Sequence, residues 1–104
     1  MKEMRNAAGE ASAMLRTLAN EERLLLLCQL SQGEQCVSEL EQMLDIHQPT
    51  LSQQLGVLRK QGLVETHREG KQIYYSVNDP TVLTLLKTLY SLYCQPPKGN
   101  RRAG

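Results

Sequence analysis

The sequence predicts a mainly α-helical fold that carries one β-hairpin. Phe and Trp are absent, so leucine has to fill most of the core, which favours helices over sheets. Apolar residues recur at helical spacing before Gly62, alternate in the manner of strands after it, and return to helical spacing after Asp79-Pro80. At 104 residues the chain is predicted to form one domain with a single modest core.

Two helices open the predicted fold. Residues 5–18 carry a stripe of Ala, Met and Leu at helical spacing. Asn20 is the predicted N-cap of the second helix, in which Glu21 and Glu22 place negative charge at the positive end of the helix dipole. The run ERLLLLCQL is apolar nearly all round, which predicts a buried central helix that ends before Gly33.

Two short helices joined by a tight break are predicted next. Ser38, followed three residues later by Glu41, fits a capping box, so the first short helix is predicted to begin at Ser38. The break spans residues 45–47, and Pro49 stands in the first turn of the second short helix, where proline is tolerated. That helix is predicted to stop at Gly62.

The alternating stretch after Gly62 predicts two strands. LVETH and QIYYSV flank the charged turn at residues 68–71, which indicates a hairpin with Ile73, Tyr75 and Val77 on one face. The predicted order is therefore four helices, two strands and a fifth helix. This is the order of a winged helix-turn-helix, in which the hairpin is the wing.

The fifth helix is predicted to begin after Asp79, its N-cap, with Pro80 in the first helical position. Its apolar surface exceeds what one small core can hide, so we expect a homodimer; tight packing against a thick core is the alternative. The tail QPPKGNRRAG is basic and contains Pro and Gly, which predicts disorder. Residues 1–94 are thus the predicted DNA-binding and dimerisation domain, and residues 95–104 a tail.

Charge is distributed unevenly along the chain. Residues 1–45 hold four Lys/Arg and eight Asp/Glu, whereas residues 46–104 hold eight Lys/Arg and three Asp/Glu. A basic half suits contact with nucleic acid, because neutralisation of phosphates supplies much of the affinity. A solvated basic face with a basic tail is the alternative.

The second short helix has an open face of uncharged hydrogen-bonding side chains. In a winged helix-turn-helix this helix lies in the major groove, where Gln, Ser and Thr can read base edges without repulsion from phosphates. An ordinary amphipathic helix with a neutral polar face is the alternative. The predicted DNA-binding residues are Gln48, Thr50, Ser52, Gln53, Gln54, Arg59, Lys60, Arg68 and Lys71, of which the four basic ones would meet phosphates.

Over nearly its whole length the chain resembles the ArsR-type (ArsR/SmtB) bacterial regulators. LANEERLLLLCQL is similar to the family's second helix, VSELEQMLDIHQPTLSQQLGVLRKQGLV to its helix-turn-helix, and REGKQIYYSV to its wing. The resemblance implies a homodimer that binds a partly palindromic double-stranded DNA operator, usually as a repressor released by an inducer. Gln54 stands where His is common, and His47-Gln48-Pro49 replaces the usual small N-cap residue; both departures bear on which bases are read.

The cysteines bear on the inducer. Cys28, Cys36 and Cys94 are too few for a secreted disulfide scaffold, so they are core residues, metal ligands or redox-active thiols. Arsenic sensors of the family resemble ELCVCDL where this chain has EQCVSEL, so Cys36 has lost its partner to Ser38. Zinc sensors carry His in the last helix, which here has none. We therefore predict no metal site and no cofactor.

The Cys28 and Cys94 pair is similar to that of the BigR/SqrR/HlyU-like branch of the family. The resemblance implies that reactive sulfur species or oxidants join the two thiols in a disulfide or polysulfide bridge and that DNA is then released. Cys36 has no partner in this scheme. The alternatives are a metal(loid)-responsive repressor, a regulator with no inducer, and a thiol enzyme. The chain has neither the CxxC motif nor the Gly-rich phosphate loop that would support an enzyme, so we predict no enzyme activity.

The sequence also bears on where the protein acts. MKEMRNAAGEASAML turns polar before an apolar run develops, so we expect no signal peptide. The run LLLLC at residues 24–28 is far shorter than the roughly 20 residues of a membrane span. We therefore expect a cytoplasmic protein with no membrane partner.

Overall fold

The computed structural model describes residues 2–94, and the predicted tail at 95–104 lies outside the described residues. The predicted fold class, a mainly helical winged helix-turn-helix, is confirmed; the homodimer stays a prediction. The elements are α1 (Lys2–Leu18), α2 (Glu21–Leu30), β1 (Gln35–Cys36), α3 (Val37–Leu44), α4 (Thr50–Lys60), β2 (Glu65–Glu69), β3 (Gln72–Ser76) and α5 (Pro80–Tyr93).

The predicted caps of α2 and α5 are confirmed. Oδ1 of Asn20 accepts a hydrogen bond from the backbone N–H of Arg23 at 3.1 Å. Oδ1 of Asp79 accepts hydrogen bonds from the backbone N–H groups of Thr81 at 2.8 Å and Val82 at 3.3 Å. Each cap satisfies backbone donors that have no partner inside the helix, so both helix starts are encoded locally.

The predicted start of α3 is wrong, because the helix begins at Val37 with Cys36 as its N-cap. The backbone N–H of Cys36 donates to Oε1 of Glu39 at 3.0 Å, so Glu39 closes the first turn rather than Glu41. Cys36 is already held extended by its pairing with Tyr74 in the sheet. The chain therefore turns into a helix directly after that strand residue. Pro49 likewise lies just before α4 rather than inside its first turn.

The end of α4 agrees with the prediction. Gly62 has φ +76°, the left-handed conformation that glycine adopts most easily. Its N–H donates to the carbonyl of Arg59 at 3.0 Å, and the N–H of Leu63 donates to the carbonyl of Leu58 at 2.9 Å. This pair of hydrogen bonds is a Schellman motif, which turns the chain out of the helix and into the wing.

The wing belongs to a sheet of three strands in the order β1-β3-β2, all antiparallel. The sequence predicted two strands, because β1 has only two residues and shows no alternation. Val77 is buried at the base of the wing and Tyr75 is half-buried, whereas Ile73 is 39% exposed near the tip. The predicted apolar face therefore reaches the core only at its base.

The core is built almost entirely from leucine, as expected for a chain without Phe or Trp. Its best-buried side chains come from α2, α3, α4 and α5. α2 was predicted to be a buried central helix, but it is not buried all round. Leu25 is 41% exposed, and α1 contributes only Leu18 to the core. Between residues 2 and 94, no helix is long and apolar enough to cross a membrane. The side chains with least exposure are Leu26, Leu27, Leu30, Leu40, Leu51, Leu55, Leu58 and Val82.

Candidate nucleic-acid interface and cysteine groove

α4 presents one face to the core and another to solvent. Leu51, Leu55 and Leu58 are buried, whereas Ser52 and Gln53 are exposed on the outer face. This outer face has no acidic side chain, so it can approach DNA without repelling phosphates. The exposed basic residues Arg59 and Lys60 lie in the last turn of the helix.

The residues before α4 shape its N-terminus. Oε1 of Gln48 accepts a hydrogen bond from the backbone N–H of Ser52 at 3.1 Å, so this exposed side chain supports the first turn of α4. Thr50 is half-buried. The structure thus places Gln48, Thr50, Ser52 and Gln53 together around the start of α4, and their reading of bases stays a prediction.

The wing carries the two other predicted phosphate contacts. Arg68 lies in β2 and pairs in register with Ile73, and Lys71 follows Gly70 in the turn. Both basic side chains are exposed. Gly70 has φ +65°, which allows the tight turn that brings them to the tip of the hairpin. The hairpin tip therefore exposes two basic side chains, with the acidic side chain of Glu69 between them in the sequence.

Gln54 is oriented differently from its neighbours on α4. Its Oε1 accepts a hydrogen bond from Nε of Arg23 at 3.0 Å, and its Nε2 donates to Oε1 of Glu22 at 3.1 Å. A longer contact of 3.4 Å joins the same Nε2 to Oδ1 of Asn20. The side chain is half-buried against the start of α2. Sequence reasoning missed this cluster, because Arg23 lies 31 positions from Gln54.

The two histidines pair with acids at the surface. Nε2 of His47 lies 2.9 Å from Oδ1 of Asp45, and Nδ1 of His67 lies 3.1 Å from Oε1 of Glu34. The ring of His67 also stacks on Tyr74, with 5.6 Å between ring centroids. Within residues 2–94, nowhere do three or more His, Cys, Asp or Glu side chains gather closely enough to hold a metal ion.

The three cysteines are unpaired and differ in exposure. Cys36 is buried at the start of α3, with its Sγ 3.4 Å from Oγ of Ser38. Cys28 is partly buried on α2, and Cys94 is exposed just beyond α5, where its N–H donates to the carbonyl of Tyr90 at 2.8 Å. Cys94 is therefore the most accessible thiol of the three.

Cys28 and Cys94 line the same groove between α2 and the end of α5. The groove has a volume of about 640 Å³, and mostly apolar side chains form its walls. Burial raises the pKa of the Cys28 thiol, and the nearby Cys94 thiolate raises this pKa further. Cys28 therefore keeps its proton to a higher pH than a free thiol does. The other side chains of the groove wall include Leu24, Leu25, Leu44, Leu89, Tyr90 and Tyr93.

The fold and the outer face of α4 are those of a winged helix-turn-helix DNA-binding regulator. The sequence pattern described as "Bacterial regulatory protein, arsR family" matches residues 20–66. A biofilm growth-associated repressor of Agrobacterium fabrum is 52% identical to the chain over 93 residues, which are 89% of the chain and 80% of the relative. The chain belongs to the arsR family of bacterial regulatory proteins.

Solved structures agree with this assignment. The crystal structure of the transcriptional repressor BigR from Xylella fastidiosa superimposes with a TM-score of 0.84 at 45% identity, covering 95% of this chain and 98% of that one. The structure of reduced HlyU from Vibrio cholerae N16961 superimposes with a TM-score of 0.86 at 38% identity, covering 91% of this chain and 100% of that one. The fold resemblance therefore extends well beyond the helix-turn-helix, to α1 and α5.

Proposed function

We propose that this arsR-family regulator is a repressor that leaves its operator when Cys28 and Cys94 become bridged. The bridge is a disulfide or a chain of sulfur atoms, formed in response to reactive sulfur species or oxidants. The single observation that carries this proposal is that two thiols from distant parts of the chain line one groove. Two relatives, from A. fabrum and X. fastidiosa, are named as repressors, which supports repression as the direction of control.

DNA binding in this proposal uses the outer face of α4 and the wing. Gln48, Thr50, Ser52 and Gln53 face the base edges of the major groove, where amide and hydroxyl groups can both donate and accept hydrogen bonds. The basic residues fix the position of the helix by meeting phosphates. These phosphate contacts are assigned to Arg59, Lys60, Arg68 and Lys71.

The proposal requires a homodimer. Large apolar side chains are exposed on the two terminal helices of the described chain, among them Leu15 on α1 and Leu92 on α5. Exposed apolar surface of this kind is typical of a protein–protein interface. A symmetric dimer would present two α4 helices to successive major grooves about 34–36 Å apart, which suits a partly palindromic operator.

The thiol chemistry begins at the exposed residue. The Cys94 thiolate attacks the terminal sulfur of a persulfide RSSH, so that Cys94 becomes a persulfide and RS⁻ leaves. Cys28 then attacks Sγ of Cys94, which forms the disulfide and releases HS⁻. In total, two thiols and RSSH give one disulfide, RSH and hydrogen sulfide, with RSSH as the two-electron oxidant. When Cys94–S–SH first takes a second sulfur atom from RSSH, giving Cys94–S–S–SH and RSH, attack of Cys28 on the middle sulfur forms a trisulfide and releases HS⁻. This longer bridge relaxes the limit of roughly 4.4–6.8 Å between Cα atoms of a direct disulfide.

A bridge would couple the groove to DNA through the helices that carry it. It joins α2, whose leucines lie in the core, to the end of α5, whose exposed Leu92 belongs to the proposed dimer interface. A shift between these helices changes the distance between the two α4 helices of the dimer. Because the half-site spacing of DNA is set by its helical repeat, the two halves could no longer bind together.

The test compares serine variants of the three cysteines. Reduced wild type and the variants Cys28→Ser, Cys94→Ser and Cys36→Ser are titrated against an operator duplex before and after treatment with glutathione persulfide. All four should bind when reduced, and only wild type and Cys36→Ser should be released. Intact mass should show the loss of two hydrogens in released protein, with or without added sulfur atoms. Release of Cys28→Ser or Cys94→Ser by the persulfide would overturn the proposal.

A further inference from the structure

The side-chain amide of Gln54 is the centre of a polar cluster that joins three helices. It accepts from Nε of Arg23 and donates to Oε1 of Glu22, both on α2. Nη1 of Arg23 in turn donates to the carbonyl of Thr17 on α1 at 3.0 Å. Asn20, the cap of α2, accepts from the N–H of Arg23 and lies 3.4 Å from Nε2 of Gln54. The cluster therefore ties α4 to the junction of α1 and α2.

This arrangement uses both hydrogen-bonding groups of the Gln54 amide. Its oxygen meets a guanidinium donor and its nitrogen meets a carboxylate, so both contacts involve a charged partner and are stronger than neutral ones. A side chain held in this way would have to break charge-assisted hydrogen bonds before it could contact a base. Gln53, by contrast, is exposed on the outer face.

We propose that Gln54 is a positioning residue that sets the angle of α4 against α2 and does not read bases. The proposal rests on the proposed role of α4 as the reading helix, and it removes Gln54 from the set that contacts DNA. Leu51, Leu55 and Leu58 hold α4 to the core through apolar contacts, which have little directional preference. The hydrogen bonds of Gln54 are directional, so they fix the rotation of α4 about its own axis where its leucines pack on the core.

Asn20 gives this cluster a second connection. It lines the groove that contains Cys28 and Cys94, and it also contacts Gln54. The middle of α4 and the cysteine groove therefore share one contact residue, Asn20, the N-cap of α2. A displacement of α2 at the groove would therefore shift the contact between Asn20 and Gln54, and with it the position of α4.

The experiment uses the reduced full-length protein and a duplex that wild type selects from a random pool. Gln54→Ala should raise Kd about tenfold, by the same factor for the selected duplex and for each single base-pair variant. The dependence of Kd on salt should not change, because no phosphate contact is lost. Gln53→Ala is the matched control, and it should weaken binding while relaxing the preference at one base pair.

An exchange of partners tests the positioning role itself. Gln54→Glu should weaken binding, because the new carboxylate repels Glu22 and cannot donate to it. Adding Glu22→Gln restores one donor and one acceptor with the same total charge, so the double variant should bind within about twofold of wild type. Thermal unfolding of each variant shows whether affinity is lost in folded protein.

The outcomes separate the two proposals. Relaxed base preference in Gln54→Ala, unchanged affinity in that variant, or a double variant that regains stability but not affinity would each overturn the positioning role. If instead Gln53→Ala binds as wild type does, the proposed reading face of α4 is wrong, whatever Gln54 does.

Discussion

Cys28 on α2 and Cys94 beyond α5 line one groove, although the first is partly buried and the second is exposed. In the proposed bridging reaction, this asymmetry gives the two thiols different tasks. The exposed thiol meets a reactive sulfur species first, and the partly buried thiol, whose pKa is raised, reacts second. A resolving thiol that stays protonated is protected from the solvent reagents that attack an open thiolate.

The raised pKa of Cys28 predicts how its reactivity depends on pH. Burial is the larger cause and the Cys94 thiolate the smaller one, and both disfavour loss of the proton. Alkylation of Cys28 by iodoacetamide should therefore rise with pH through a range above that of a free thiol. In Cys94→Ser the smaller cause is gone, so the pKa falls and the alkylation profile should move to lower pH.

Peptide mass spectrometry in a Cys36→Ser background measures this profile for Cys28 alone. The residual shift in Cys94→Ser should keep the profile above that of a short cysteine peptide, because burial remains. A Cys28 profile that does not move when Cys94 is replaced would mean that the two thiols do not interact in solution.

The wing should contribute to affinity through phosphates. Arg68→Ala is expected to weaken binding by the same factor on every operator variant and to reduce the salt dependence of log Kd by about one unit of slope. Glu69→Gln, the next residue of the same exposed strand, is the control and should bind slightly tighter, because an acid is removed. An unchanged salt dependence in Arg68→Ala would place this side chain away from the DNA backbone.

The proposed dimer interface can be tested with one charge. Leu92 on α5 is 68% exposed and Met43 on α3 is 59% exposed, so neither substitution disturbs the core of a single chain. Leu92→Glu should dissociate the dimer, because an interface buries the unpaired charge at a cost of several kcal/mol. Met43→Glu should remain dimeric. Sedimentation velocity at micromolar concentration distinguishes the two, and equal behaviour of both variants would contradict the assignment of α5.

Two glycines of the helix-turn-helix should respond to alanine in opposite directions. An added Cβ meets no atom within 4 Å at Gly56 or at Gly62, so sterics with neighbours do not decide the outcome. Gly62→Ala should destabilise the protein by about 1–2 kcal/mol, because φ +76° is strained for alanine. Gly56→Ala, inside α4, should stabilise it by up to about 1 kcal/mol. Chemical denaturation measures both, and a stabilising Gly62→Ala would contradict the assigned end of α4.

Local signals in the sequence were sufficient to predict most helix ends. Asn20 and Asp79 cap helices through hydrogen bonds to residues two or three positions away, and Gly62 ends α4 through its own backbone conformation. Such interactions depend on neighbours in the chain, so they can be predicted without tertiary structure. The apolar period of α4 likewise separates its buried leucines from its outer face.

The start of α3 shows where local signals were insufficient. Ser38 and Glu41 have the right spacing for a capping box, yet Cys36 and Glu39 form the first turn. The deciding contact is the pairing of Cys36 with Tyr74, which lies far along the chain and holds Cys36 extended. A two-residue strand has no pattern of its own, so only its partner strand defines it.

The amino-acid sequence carries the family resemblance, the caps of α2 and α5, the leucine core and the neutral face of α4, because each of these depends on residue type and short-range spacing. The folded chain added two facts that no spacing contains. Hydrogen bonds with Arg23 and Glu22 hold the side chain of Gln54 against α2, and Cys28 lines the same groove as Cys94. Both arise because packing leucines into one core brings α2 against α4 and α5, and distant polar side chains then meet at the edges of that packing.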